Sequence, residues 1–282
     1  MGYAGLDLGL TMFATDRSVD PVTLAREAET RGFLSLYLPE HTHIPTIRAT
    51  PPPTGEAELA DEYRRTLDPF VALGAAAAAT TRLRIGTGIC LVAQRDPIVL
   101  AKEVATLDLL SNGRFVFGIG FGWNREEMAT HGVVYADRRE IVREKTLAMR
   151  ALWQHDVASY AGTHVHFEST WSWPKPVQKP HPPVLLGGAP GPKLFAHIAE
   201  YCDGWIPIGG AGIAAAREAL HIALEARRRD PASASIVPFG TLPNPGKLDY
   251  YASLGIREVV LRVPSAPRDE VLAVLDDYAK LL

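Results

Sequence analysis

The segment Pro39-Glu40-His41-Thr42-His43 sets a carboxylate beside two imidazoles directly after an apolar run. Imidazole titrates near neutrality, so a histidine at such a place suits general acid or base work, or a polar contact to a cofactor ring. The plain alternative is a loop histidine in water. Four glycine-bearing segments offer a second kind of chemistry, the close approach of backbone to a flat or anionic ligand. Gly86-Thr87-Gly88-Ile89-Cys90 interrupts an apolar strand, where glycine marks a bulge or a ligand contact. Gly118-Ile119-Gly120-Phe121-Gly122-Trp123-Asn124 follows another, but Trp123 stands where a dinucleotide fingerprint needs its third glycine. Gly187-Gly188-Ala189-Pro190-Gly191-Pro192 and Ile208-Gly209-Gly210 read as phosphate cradles ahead of helices, although Pro192 excludes a P-loop.

Other features carry less. His164 and His166 alternate on an expected hairpin without a third or fourth zinc ligand nearby. Trp171 and Trp173 suit a cover over one end of the fold, and Arg227 to Arg229 closes a helix where positive charge favours the macrodipole. No metal is expected.

The elements that must position these residues alternate between short apolar runs and longer helical stretches, the pattern of βα units around a parallel sheet. Leu6 to Thr11 begins it. Asp20-Pro21, Asp68-Pro69 and Asp96-Pro97 open helices, and Gly32 and Asn112-Gly113 end the first and third of them. Further strands fall at Phe33–Leu38, Leu83–Val92, Arg114–Ile119, Val184–Leu186, Gly204–Ile208, Ile236–Phe239 and Glu258–Val263. A long helix is expected over Asp137–Trp153, and four more follow the last four strands. Eight such units favour an α/β fold of the (β/α)8 TIM-barrel type over an open doubly wound sheet, with the chemistry in the loops after the strands. The Pro-rich segment 44–65 after the second strand and the segment 155–182 before the fifth read as insertions in a single domain.

Composition narrows the function. The chain has 282 residues, 47% hydrophobic and 22% charged, with a formal net charge of −3. There is no basic stripe for nucleic acid, no apolar run long enough to span a membrane and no leader signal, so a cytoplasmic location is expected. Two cysteines, Cys90 and Cys202, fit no disulfide framework.

Taken in order, several segments resemble the luciferase-like monooxygenase superfamily, and within it the actinobacterial branch of coenzyme F420-dependent oxidoreductases. They are Leu6-Asp7-Leu8-Gly9, Ser35 to His41, Arg82 to Gly88, Asp96-Pro97, Ser111 to Phe115, Pro183 to Gly188 and Ala199 to Trp205. The resemblance implies a non-prolyl cis peptide at Gly88 and Ile89, on the bulge that ends in Cys90, behind the cofactor ring. It implies Asn124 and the Gly120 turn at the ring's pyrimidine end, phosphate turns at Gly187, Gly188, Gly209 and Gly210, and Glu40 and His41 near the reactive face. It also implies a small-molecule substrate and a homodimer. One departure is plain: relatives acting on sugar phosphates place a glutamate and a tryptophan where this chain has Phe121 and Pro45, which disfavours that reaction. The remaining chemistry is hydride transfer with F420, or oxygen chemistry with FMN, which has the same ring shape and a phosphate. A metal-dependent hydrolase using His41 and His43, or a barrel that binds without turnover, are the other readings.

Overall fold

The computed structural model describes residues 5–52, 55–56, 58–209 and 212–282. The chain runs β1 (Asp7–Thr11), α1 (Pro21–Arg31), β2 (Ser35–Leu38), α2 (Pro69–Ala79), β3 (Arg84–Thr87), α3 (Pro97–Leu110), β4 (Phe115–Ile119), α4 (Arg125–Thr130) and α5 (Arg138–Gln154). A hairpin of β5 (Val157–Ala161) and β6 (His166–Trp171) follows. The second half runs β7 (Val184–Gly187), α6 (Pro192–Tyr201), β8 (Gly204–Ile206), α7 (Ile213–Ala226), β9 (Ser235–Ile236), β10 (Phe239–Thr241), α8 (Pro245–Ser253), β11 (Glu258–Arg262) and α9 (Arg268–Ala279).

Local chemistry explains the helix starts. Asp20, Asp68 and Asp96 each accept backbone N–H groups of the first turn at 2.9 Å, and each is followed by a proline that needs no partner there. Gly32 ends α1 in the left-handed region at φ 91°, where a side chain would be strained.

Nine parallel strands form one curled sheet in the order β10-β11-β1-β2-β3-β4-β7-β8-β9. Its two outermost strands are neighbours in the chain, separated by Val237 and Pro238. That short stretch is bonded on both sides: Val237 N–H donates to Trp205 O at 2.9 Å, and Val260 N–H donates to Pro238 O at 2.8 Å. Alternation along the strands divides the core into two. Leu36 and Leu38 face the helices, whereas Tyr37 joins Val116, Leu185, Ile206, Val237, Phe239 and Val260 in a separate cluster enclosed by the sheet.

The expected elements are present, with three differences. The continuous third strand stops at Thr87 rather than Val92: beyond it Gly88 N–H still donates to Leu38 O and Cys90 keeps an isolated parallel bridge to Ile119, before the chain turns through a 3₁₀ segment at Val92–Gln94. The strand expected at Ile236–Phe239 is split at Pro238, which has no N–H for a ladder. Helix α4 is additional, and the segment 44–65 contains a 3₁₀ turn at Asp61–Arg65. Among the described residues no helix is long and apolar enough to cross a membrane.

Candidate functional site

His41 leaves the end of β2, and its Nδ1 lies 2.8 Å from Oε2 of Glu127 on α4. Asn124 starts that helix by accepting the Glu127 N–H at 3.2 Å. Asn-x-x-Glu is the spacing of a capping box, in which the glutamate would fold back to its own helix terminus. Here its carboxylate goes to His41 instead. Both side chains are buried, at 6% and 1% exposure. The imidazole sits against Tyr63 of the 3₁₀ turn, centroids 5.3 Å apart, and edge-on to Trp123 at 5.8 Å. A carboxylate accepts from Nδ1–H, so Nε2 of the neutral ring keeps its lone pair and makes no hydrogen bond within the described residues. That atom can take a proton, or donate one once the ring is charged.

Glu40 is turned away from this pair. Its Oε2 accepts the Leu91 N–H at 2.6 Å and its Oε1 binds Arg95 at 2.6 Å, while Arg95 also reaches Asp68 and Glu103. Burial works against the Arg95 charge, but Glu40 and Asp68 outweigh it and hold the guanidinium above its ordinary pKa. With both oxygens occupied, Glu40 fixes the chain that follows β3.

In that chain the Gly88–Ile89 peptide bond is cis. The Ile89 side chain occupies the room left by two glycines: a Cβ on Gly120 would collide with it, and one on Gly187 would lie 3.2 Å from its Cγ2. Gly88 faces Tyr37 and Phe239 inside the sheet. Cys90 is wholly buried on the helix side, where burial, with Glu40 adding to it, pushes its thiol well up.

Asn124 is 1% exposed, and its Nδ2 has no partner among the described residues. Both amide atoms of Gln94, on the turn after β3, are likewise unpaired. Gly188 follows β7 at φ 155°, with its carbonyl accepting from Trp205 Nε1 at 2.9 Å. Helices α6 and α7 begin at Gly191 and Gly212 with no side-chain cap. Gly209 is at φ 77° in open space, and Gly210 lies outside the described residues.

A family model described as luciferase-like monooxygenase matches residues 15–242. The chain belongs to the luciferase-like monooxygenase family. Members of this family are oxidoreductases and monooxygenases. An uncharacterised protein of Mycobacterium tuberculosis is 46% identical over 97% of this chain and 98% of its own length. An F420-dependent hydroxymycolic acid dehydrogenase of the same organism is 26% identical, over 72% of this chain and 51% of its own. Among solved structures, monooxygenase RslO1 from Streptomyces bottropensis superposes with a TM-score of 0.80 at 20% identity, covering 98% of each chain. An F420-dependent secondary alcohol dehydrogenase, in complex with an F420-acetone adduct, gives 0.74 at 18% identity, covering 100% of this chain and 98% of that one. These likenesses establish the luciferase-like fold.

The structure brings the expected His41 and Asn124 together with Glu127 and Tyr63, which the sequence did not single out. Asn124-x-x-Glu127 was a usable signal for α4; nothing local marked Tyr63. His43 shares the Thr42 hydroxyl with His131, at 3.0 and 2.7 Å, and burial together with the nearby His43 lowers the His131 pKa. His166 pairs with Glu168 on the exposed hairpin. No group of three metal-ligating side chains occurs among the described residues. A cavity of about 600 Å³ lies within the 44–65 segment, between Ile44, Arg48, Leu59 and Arg64. Another, of about 710 Å³, opens at the opposite end of the sheet, beside Arg84, Asp203 and Glu258.

Proposed function

We propose that this chain is a coenzyme F420-dependent oxidoreductase that moves a hydride between the deazaflavin ring and a small alcohol or carbonyl compound, with His41 as the proton partner. The observation that carries the reading is the buried His41–Glu127 pair at the strand ends, with Nε2 left free. Taking a hydride from an alcohol requires a proton to leave its oxygen, and reducing a carbonyl requires one to arrive. An imidazole fixed through Nδ1 serves either direction at Nε2.

The unpaired Nδ2 of Asn124 and amide of Gln94 fit the carbonyl and N–H edge of a flavin-type ring, whose heteroatoms would satisfy them. Gly188 and Gly209, ahead of the uncapped helices α6 and α7, fit its phosphate. When bound, the deazaflavin supplies the carbon that accepts or delivers hydride. The chain binds and orients it, and Trp123 and Tyr63 keep water from His41. Glu40 acts through Leu91 and Arg95 as a positioning residue. The same reading takes the fold as one (β/α)8 barrel, with 44–65 and 155–182 as insertions that shape the substrate side.

FMN presents the same ring shape and a phosphate, so the test must separate the two. Titration with each, followed by fluorescence and calorimetry, is expected to give micromolar or tighter binding of F420 and weak binding of FMN. Asn124→Ala should weaken F420 by about tenfold, the loss of one buried hydrogen bond. Tight FMN binding with oxygen consumption would move the protein to the monooxygenases, and no binding of either cofactor overturns the reading.

A further inference from the structure

Three guanidinium groups gather beside the candidate site with no carboxylate to answer them. Arg125 follows Asn124 directly, and Arg138 and Arg139 open α5. Arg125 and Arg138 both lie over the Tyr135 ring, 4.6 and 3.6 Å from its centroid, and Arg139 lies over Phe121 at 4.4 Å. One turn along α5, Arg143 is paired with Glu140 and Glu200, whereas none of these three forms an ion pair among the described residues. Nε of Arg138 and Nη1 of Arg139 are shut off from solvent and have no acceptor among the described residues. Burial, and the charge of Arg138 beside it, lower the Arg139 pKa, so the cluster is electrostatically uncomfortable as it stands.

Arg138 Nη1–H donates to Tyr135 O at 2.7 Å; otherwise aromatic faces hold the three planes in position but accept none of their N–H groups. Guanidinium forks match carboxylate and phosphate oxygens two at a time, and three of them match more than one acidic group. Phe121 and Asn124 belong to the same loop after β4, so whatever pairs with these arginines lies next to the ring-binding residues.

We infer that Arg125, Arg138 and Arg139 form a subsite for a run of acidic groups, phosphate or carboxylate, on the ligand that enters this opening. Coenzyme F420 carries such a run beyond its phosphodiester, an oligoglutamate tail, while FMN ends in a single phosphate; in that form the inference rests on the F420 reading. The other source is an acidic substrate.

The test compares three probes on the intact protein: F420 with its tail, the tail-less deazaflavin alcohol, and free tetraglutamate. Each is titrated against wild type and against Arg138→Gln and Arg139→Gln, with thermal melting as the folding control. F420 is expected to bind the wild type roughly tenfold or more tightly than the tail-less form, the size of one or two charge-assisted contacts. The difference should shrink in both variants and at high salt. The salt dependence uses wild type alone, so a variant that fails to fold does not block the result. Equal affinity for the two deazaflavins, with tetraglutamate binding lost in the variants, keeps the subsite and assigns it to the substrate. If neither deazaflavin binds but tetraglutamate does, the proposed function falls and the subsite stands. Equal affinities with no arginine-dependent tetraglutamate binding overturn the inference.

Discussion

Nδ1 of His41 and Oε2 of Glu127 lie 2.8 Å apart although 86 residues separate them in the chain. The buried carboxylate fixes the tautomer and direction of the imidazole. On the proposed F420 reading, Glu127→Gln should therefore leave F420 affinity within about threefold while lowering turnover by about 10², the scale of a general acid or base contribution. His41→Ala should do the same, and the double variant should fall little further, because two groups acting as one unit are not additive. Single-turnover hydride transfer, set against equilibrium titration, separates the two effects. Additive losses would show that Glu127 acts independently of His41.

Glu40 stands next to His41 in sequence but does different work. Its carboxylate is 2% exposed and bound to Arg95 and the Leu91 N–H. Removing one partner of a buried pair leaves the other uncompensated, so Glu40→Ala should destabilise the fold by about 3 kcal/mol. Glu40→Gln, which keeps an acceptor for Leu91, should cost less. Urea unfolding of the two variants measures both losses, and a stable Glu40→Ala with abolished turnover would return Glu40 to the reactive face.

Acid should weaken the fold through its neutral histidines. His131, His181 and His197 each titrate below the ordinary 6.5, with burial the main cause. Below that value the unfolded chain binds protons that the folded one refuses, so stability rises with pH there. Their contribution is complete above 6.5 and is lost as pH falls through the lowered folded values. His181 is the most useful probe, since its side chain is 2% exposed beside Trp153 and its Nδ1–H donates to Pro182 O at 2.8 Å. Urea midpoints should drop between about pH 7.5 and about pH 5.5, and less steeply in His181→Gln. A slope unchanged by the substitution would show that His181 is not among the groups responsible.

The fold was largely legible because its signals are local. Asp-Pro helix starts, Gly32, and apolar runs bounded by turns each act within a few residues, and α1, α2 and α3 begin where those signals stand. The site was legible in part. His41 and Asn124 announce themselves by type and place, but Glu127 sits on a six-residue helix too short to show a period. Tyr63 comes from a Pro-rich segment with no pattern at all. Glu40 was expected beside His41 near the reactive face; its carboxylate is instead engaged by Leu91 and Arg95, partners more than fifty residues away that no local signal marks.

Gly120 and Ile89 test whether a glycine beside a candidate ligand site is there for the ligand or for the protein. A Cβ on Gly120 would run into Ile89, the residue after the cis bond, whose side chain also lies against Gly187. Gly120→Ala should therefore destabilise by about 1–3 kcal/mol through overpacking, with or without cofactor. Ile89→Ala alone should cost a similar amount by leaving a cavity. Combined, the two changes exchange the position of a small and a large neighbour, so the double variant should recover part of the Gly120→Ala loss, a coupling of about 1 kcal/mol or more. Unfolding of the four proteins without cofactor reads this directly. If the losses simply add and Gly120→Ala is harmless to stability but abolishes F420 binding, the missing side chain makes room for the ring and not for Ile89.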